Sequence, residues 1–208
     1  MTALRLNYTD GAGEHVLETD ESFRCAPSPI VFDDYRFGEH YDARLEIPGW
    51  NLPGFDDSGW QPALPAPAPR GEARLCEAEP IVTAEELHPV SITPEGDGFR
   101  YDFGVNTAGV CRLTISGRPG QRISLIHGEW LVGGKLDVTN LWFVQEHWER
   151  DRELVHRDIY VCRGEGVETY TPTFTYHGFR YVTVTGITAE QATPDLLTCL
   201  VMHSDLKE

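Results

Sequence analysis

The stretch TPTFTYHGFRYVTVTG, Thr171 to Gly186, decides how the chain is read. It is dense in β-branched and aromatic residues and ends in a Thr-Val alternation, so it predicts a strand from the middle of a sheet. Alternation puts Phe174, Tyr176, Arg180, Val182 and Val184 on one face. It puts Thr173, Thr175, His177, Phe179, Tyr181, Thr183 and Thr185 on the other. Gly178 interrupts the run and is the natural place for a bulge. The first face is apolar except for Arg180. A guanidinium there must be buried with a partner, because burying it alone is very costly. Asp102 and Glu129 are the candidate carboxylates. Arg180, Asp102, Glu129 and Gly178 are therefore read as structural residues.

Strand signals continue on both sides. LRLNY (4–8), HVLE (15–18) and YDARLEI (41–47) are short runs separated by turn-formers such as DGAG (10–13) and APSP (26–29). QPALPAPAPRGEAR (61–74) is rich in Pro and Ala with no periodicity and reads as an extended linker. It predicts a partial β domain over 1–78 and a second domain over 79–208. In the second, FRYDFG, VCRLTISG, RISLIHGEWL, DIYVCRG and DLLTCLVMHS alternate with turns such as GRPGQ and VGGK. The predicted fold class is all-β, an antiparallel β-sandwich or jelly roll. VQEHWERDRELVH (144–156) alone resists this pattern. Glu146 and Arg150 are four apart, which fits a short helix or an ordered loop.

Composition narrows the partners. There are 33 acidic against 17 basic residues and a formal net charge of −16. Such a chain repels a phosphate backbone, so nucleic acid is excluded as a partner. No run of 18 apolar residues predicts a membrane span, and the N-terminal stretch has no signal-peptide pattern. Cys25, Cys76, Cys111, Cys162 and Cys199 are odd in number and form no CxxC pair. Reduced thiols in a cytoplasmic protein are the expectation.

Several motifs resemble those of bacterial α-L-rhamnosidases, glycoside hydrolase family 78, in the order that family uses. DESFRCAPSPIVFDDYRFGEHYDAR (20–44) resembles the end of its N-terminal domain, with GEHYDAR the most specific part. GWNLPGFDDSGWQPA (49–63), EPIVTAEELHPVSI (79–92) and YDFGVNTAGVCRLTISGRPGQRISLIHGEWL (101–131) follow. GEGVETYTPTFTYHGFRYVTVTG (164–186) and MHSDL (202–206) complete the match. The resemblance implies the β domains that precede a catalytic (α/α)6 barrel, with an inverting pair of carboxylic acids on that barrel. No position here matches that pair, so no catalytic residue is assigned. Two departures from the family pattern stand out: the N-terminal domain looks truncated, and the segment before Asp158 is unusually long.

Acidic doublets at Asp33-Asp34 and Asp56-Asp57 would point to opposite strand faces and fit turns or caps better than catalysis. His127 and Glu129 could share a strand face. Such a pair can do acid–base chemistry but is more often a structural hydrogen bond. For sugar binding, exposed aromatic rings are the candidates: Trp142 and Trp148 in the irregular segment, and His177, Phe179 and Tyr181 on the less apolar face of the closing strand. Metal ligands are not assigned. The resemblance allows calcium but identifies no ligands for it. The expected function is the non-catalytic β region of a rhamnosidase, supporting a downstream barrel and contacting rhamnose-containing carbohydrate. The alternatives are a free-standing carbohydrate-binding module and a truncated product without independent activity.

Overall fold

The computed structural model describes residues 4–67, 70–71, 74–141 and 155–206. In chain order the strands are β1 (Arg5–Asp10), β2 (Gly13–Glu18), β3 (Arg24–Cys25), β4 (Ile30–Asp34), β5 (Gly38–Asp42) and β6 (Gln61–Pro62). They continue with β7 (Ile81–Leu87), β8 (Ser91–Glu95), β9 (Gly98–Ile115), β10 (Arg122–Gly128), β11 (Trp130–Val132) and β12 (Lys135–Asp137). The last four are β13 (Arg157–Val161), β14 (Glu168–Tyr170), β15 (His177–Thr185) and β16 (Leu197–Ser204). Among the described residues the only helical elements are single 3-10 turns such as Ala43–Leu45.

The chain divides into two compact units. The smaller holds residues up to Ser28 together with Ile47–Glu77. It contains the β1–β2 hairpin, in register from Arg5 opposite Glu18 to Asp10 opposite Gly13, and the short β3–β6 pair. The larger holds Pro29–Glu46 together with everything from Ala78 onward. This differs from the division at residue 78 read from the linker, because residues 29–46 are built into the larger unit.

The larger unit is one sheet in the order β4-β5-β13-β10-β15-β9-β16-β7, with β8 and β14 also pairing with β9. All its pairings are antiparallel except β5 with β13, which is parallel. The purely antiparallel expectation is corrected at this point. A parallel pair needs a long crossover, and here the intervening chain supplies it. β9 pairs with β8 and β15 over its first residues, then with β16 and β14. At Gly109 β9 passes so close to β16 that a Cβ would lie 1.9 Å from the Leu200 carbonyl oxygen. Only glycine permits that approach.

β15 lies between β10 and β9, at the centre of the sheet. The register shifts between Phe179 and Tyr181, so the bulge falls there and not at Gly178. Its consequence is a change of parity. His177 and Phe179 point into the core on one side of the bulge, and Val182 and Val184 do so on the other. Arg180 and Tyr181 are left together on the outer face. The core that these strands enclose includes Tyr101, Leu113, Ile123, Leu125, Tyr160, Phe179, Val182, Val184 and Leu197. Phe103 and Phe179 meet edge to face at 5.9 Å.

The parallel pair is held by sterics as much as by hydrogen bonds. Gly38 has φ +126°, and a Cβ there would lie 2.3 Å from the Arg157 carbonyl oxygen on β13. Gly38→Ala should therefore push β5 off the sheet and destabilise the larger unit by about 3 kcal/mol. Gly11→Ala is the control, since a Cβ at Gly11 meets nothing within 4 Å. Urea denaturation of both variants checks this; equal midpoints would remove the steric argument.

Candidate functional site

Where β13, β10 and β15 run side by side, each strand contributes one polar residue to the buried side. Asp158 shares a face of β13 with Tyr160, and His127 shares a face of β10 with Ile123 and Leu125. His177 shares a face of β15 with Phe179. Asp158, His127 and His177 are each 0 % exposed. The two imidazole rings stack at 4.2 Å between centroids and 17° between planes. His177 Nε2 lies 3.1 Å from both carboxylate oxygens of Asp158. His127 Nε2 lies 3.9 Å from Asp158 Oδ2. The backbone N–H of His127 donates to the His156 carbonyl at 2.9 Å, and His127 Nδ1 is 3.2 Å from the same oxygen. His156, with φ 47°, is the only non-glycine residue of positive φ among those described, and its buried ring lies 5.2 Å from that of His177.

Electrostatics follow from burial. Desolvation, and then repulsion from His177, push the His127 imidazole down to about 3. The same two causes bring His156 down to about 4. For Asp158 burial raises the pKa, but the His177 and His127 imidazoles and the Glu39 N–H outweigh it, and the carboxyl stays below its usual range. A neutral His127 imidazole beside the buried Asp158 carboxylate offers donors for a proton or a cation.

A second buried carboxylate lies one strand away. Glu39 on β5 is fully buried; it accepts hydrogen bonds from Tyr170 Oη at 3.1 Å, Thr173 N at 3.0 Å and Phe174 N at 3.1 Å. The Glu39 N–H in turn donates to Asp158 Oδ1 at 3.0 Å. Burial, then the nearby Asp158 and Glu39 charges, push the Tyr170 phenol up, so it keeps its proton and serves as a donor.

The residues singled out from sequence are dispersed. Trp142 and Trp148, and most of the 144–156 segment, lie outside the described residues. His177 and Phe179 are sealed in the core, so neither can stack on a sugar. Tyr181 is half-buried and covered by guanidinium groups, Arg180 at 4.9 Å and Arg100 at 5.9 Å. Arg180 donates to Asp102 at 2.8 and 3.0 Å. Its side chain is 38 % exposed and faces outward, which corrects the buried placement that unbroken alternation implied. Glu129 bonds Asn106 at 3.1 Å and Asn140 at 2.8 Å, sharing nothing with Arg180 or His127. Asp34 and Asp56 accept backbone N–H bonds within their own turns, from Arg36 and Phe37 and from Ser58.

The α-L-rhamnosidase N-terminal domain matches residues 1–85. The bacterial α-L-rhamnosidase concanavalin-like domain matches residues 93–203, more than half of the chain. The chain belongs to the bacterial α-L-rhamnosidase family. It is 37% identical over 207 residues to an α-L-rhamnosidase of Streptomyces avermitilis, covering 98% of this chain and 19% of that protein. An α-L-rhamnosidase of Formosa agariphila is 30% identical over 206 residues, covering 99% and 21%. The solved structure of the Streptomyces avermitilis enzyme complexed with L-rhamnose superposes with a TM-score of 0.86 at 35% identity, over 98% of this chain and 19% of that one. The enzyme from Dictyoglomus thermophilum superposes at 0.86 and 32% identity, over 97% and 22%. The chain thus spans about a fifth of the length of the relatives it matches.

The rhamnosidase motif GEHYDAR acquires a physical reading from these contacts. Gly38 permits close approach to β13, and Glu39 anchors the turn before β15. Tyr41 Oη donates to Glu46 at 2.8 Å, Asp42 accepts from Arg44 N, and Ala43 is buried. The closing motif YHGFRY supplies His177 to the polar cluster and the bulged Arg180–Tyr181 pair to the outer face. Alternation within ISLIHGE and RDIYV is the sequence signal that puts His127 and Asp158 on core-facing positions.

The cluster makes stability depend on pH, with a definite sign. His127 and His156 are neutral in the fold, whereas their ordinary value is 6.5. Below that pH the unfolded chain binds the extra protons, so the stabilisation is complete above about pH 6.5 and is lost as pH falls towards the folded values. Asp158 works in the same direction at lower pH, its stabilisation being lost as pH drops through its depressed value. Each histidine should contribute a slope approaching about 1.4 kcal/mol per pH unit. Urea denaturation in EDTA at several pH values between about 7 and 5 reads this slope; a flat profile would contradict the neutral, buried assignment.

Proposed function

We propose that this chain is the non-catalytic β-sandwich region of an α-L-rhamnosidase, bracing a separate catalytic barrel that releases terminal L-rhamnose from glycans or glycosides. The observation that carries this reading is one of extent: the chain matches only about a fifth of each relative. Chemistry supports it. Glycoside hydrolysis needs two carboxyl groups flanking an accessible bond. Glu39 and Asp158 are sealed from solvent and already committed to hydrogen bonds. Exposed apolar side chains of the larger unit, among them Val105, Trp130 and Phe174, suit a neighbouring domain that would cover them. The purified chain is expected to release nitrophenol from an aryl α-L-rhamnoside no faster than buffer. Turnover that survives repurification and disappears in Glu129→Gln would overturn this reading.

A second reading, a carbohydrate-binding module, is favoured by Trp130. The residue is 51% exposed. It directly follows Glu129, whose carboxylate is fixed by two Asn amides. An exposed aromatic residue next in sequence to an oriented carboxylate supports this reading. On this reading L-rhamnose should bind at roughly millimolar affinity, as for a small polar ligand on a shallow surface. Binding should be lost in Trp130→Ala. Titration calorimetry with and without calcium measures it, and absence of heat in both would leave the bracing role alone.

A further inference from the structure

We propose that His127, Asp158 and His177 bind a zinc-class divalent ion that cross-links β10, β13 and β15, a role apart from any sugar chemistry. One proton decides which donors are free. The His156 carbonyl oxygen can only accept, so His127 Nδ1, 3.2 Å away, is the protonated nitrogen of that ring. His127 Nε2 is then a bare lone pair. It is buried without a hydrogen-bond partner and lies 3.9 Å from Asp158 Oδ2. Two electron-rich atoms facing each other in a fully buried site repel unless something positive lies between them. An imidazole whose Nδ1–H donates to a carbonyl while Nε2 faces outward is the arrangement that orients a metal-ligating histidine.

The remaining donors lie close enough for the same ion once the His127 and His177 rings, stacked at 4.2 Å, turn to aim their Nε2 atoms at it. His177 Nε2 lies 3.1 Å from that Asp158 oxygen. All three donor atoms lie within 4.8 Å of one another. A tetrahedral ion with donors at about 2.0–2.1 Å spaces them about 3.4 Å apart. The separations of 3.1 and 3.9 Å fall on either side of that value. On binding, the His177 ring proton moves from Nε2 to Nδ1 and the Nε2 lone pair turns to the ion. Two imidazoles and one carboxylate suit zinc or cobalt and are wrong for calcium, which takes six to eight oxygens. Three protein donors leave the fourth position to water.

The test uses the full chain, stripped with EDTA and desalted, then titrated with Zn²⁺ against a chromophoric chelator and with Co²⁺ by visible absorption. One ion per chain is expected, with the intense absorption of tetrahedral cobalt. His127→Gln and Asp158→Asn should each weaken binding by more than about 10-fold, the least that loss of an outer-shell partner costs a metal site. These variants remove buried groups, so the wild-type chain must also decide. In its histidine nitrogen–proton spectra, Zn²⁺ should shift the Nε2 signals of two of the eight histidines. Failure of the folded wild-type chain to retain an ion would overturn the proposal. So would binding that is unchanged in His127→Gln, or binding abolished by alkylating the exposed Cys25 and Cys76.

Discussion

A carboxylate without access to water governs the larger unit. Asp158 sits in the middle of the sheet, where an isolated negative charge would cost several kcal/mol. It is tolerated because two strands donate to it, β5 through the Glu39 N–H and β15 through His177, while β10 brings His127 to within 3.9 Å of it. Each of these contacts fixes a neighbour in turn. Glu39, held in place by its own N–H, extends its carboxylate to the turn at Thr173 and Phe174. That turn sets where β15 enters the sheet. Polar groups, not apolar ones, thus dictate how the strands are positioned at this end of the core, while aliphatic and aromatic side chains fill the rest. Breaking one member of such a network leaves the others buried and unpaired, so the cluster behaves as a unit.

The outer face of the same strands is organised differently. Arg180 pairs with Asp102, Arg100 pairs with Glu95, and Glu95 also accepts from Thr183. The Arg180–Asp102 pair is partly exposed and is worth less than its buried counterparts. The bulge in β15 is what separates the two regimes. It turns two consecutive residues outward, so a guanidinium and a phenol share one face and the valines after them return to the core.

How much of this was legible in the sequence varies with the physics. Strands β9, β10, β15 and β16 announce themselves by β-branched and aromatic alternation, and the all-β class followed directly. The bulge did not, because a one-residue slip changes every later assignment and leaves no compositional mark. Gly178 was the visible suspect, yet the register shifts between Phe179 and Tyr181. That slip explains why Arg180 was expected inside and is found outside, and why His177 and Phe179 were offered to a sugar and are instead buried. The pairing of Arg180 with Asp102 needs only reach across adjacent strands, so it survived the error. The membership of residues 29–46 in the larger unit was invisible for another reason: nothing local marks a strand whose partner is more than a hundred residues away.

That distant partnership has a consequence for how the chain acquires its structure. The Glu39–Asp158 contact closes a loop of 119 residues. During synthesis β4 and β5 emerge early and must wait for most of the sheet before they have anywhere to go. Such non-local closure slows folding and prolongs the time an unpaired strand edge is available to other chains. The insertion also makes the two units inseparable by simple cutting. A fragment beginning after the linker would keep β13 but lose the strand that covers its flank, leaving an open edge in an otherwise complete sheet. The smaller unit, for its part, is assembled from two pieces of chain, joined in sequence through residues 29–46 and paired with each other by β3 and β6. Boundaries drawn along the sequence and boundaries drawn in space therefore disagree, and the spatial ones govern which fragments can be made.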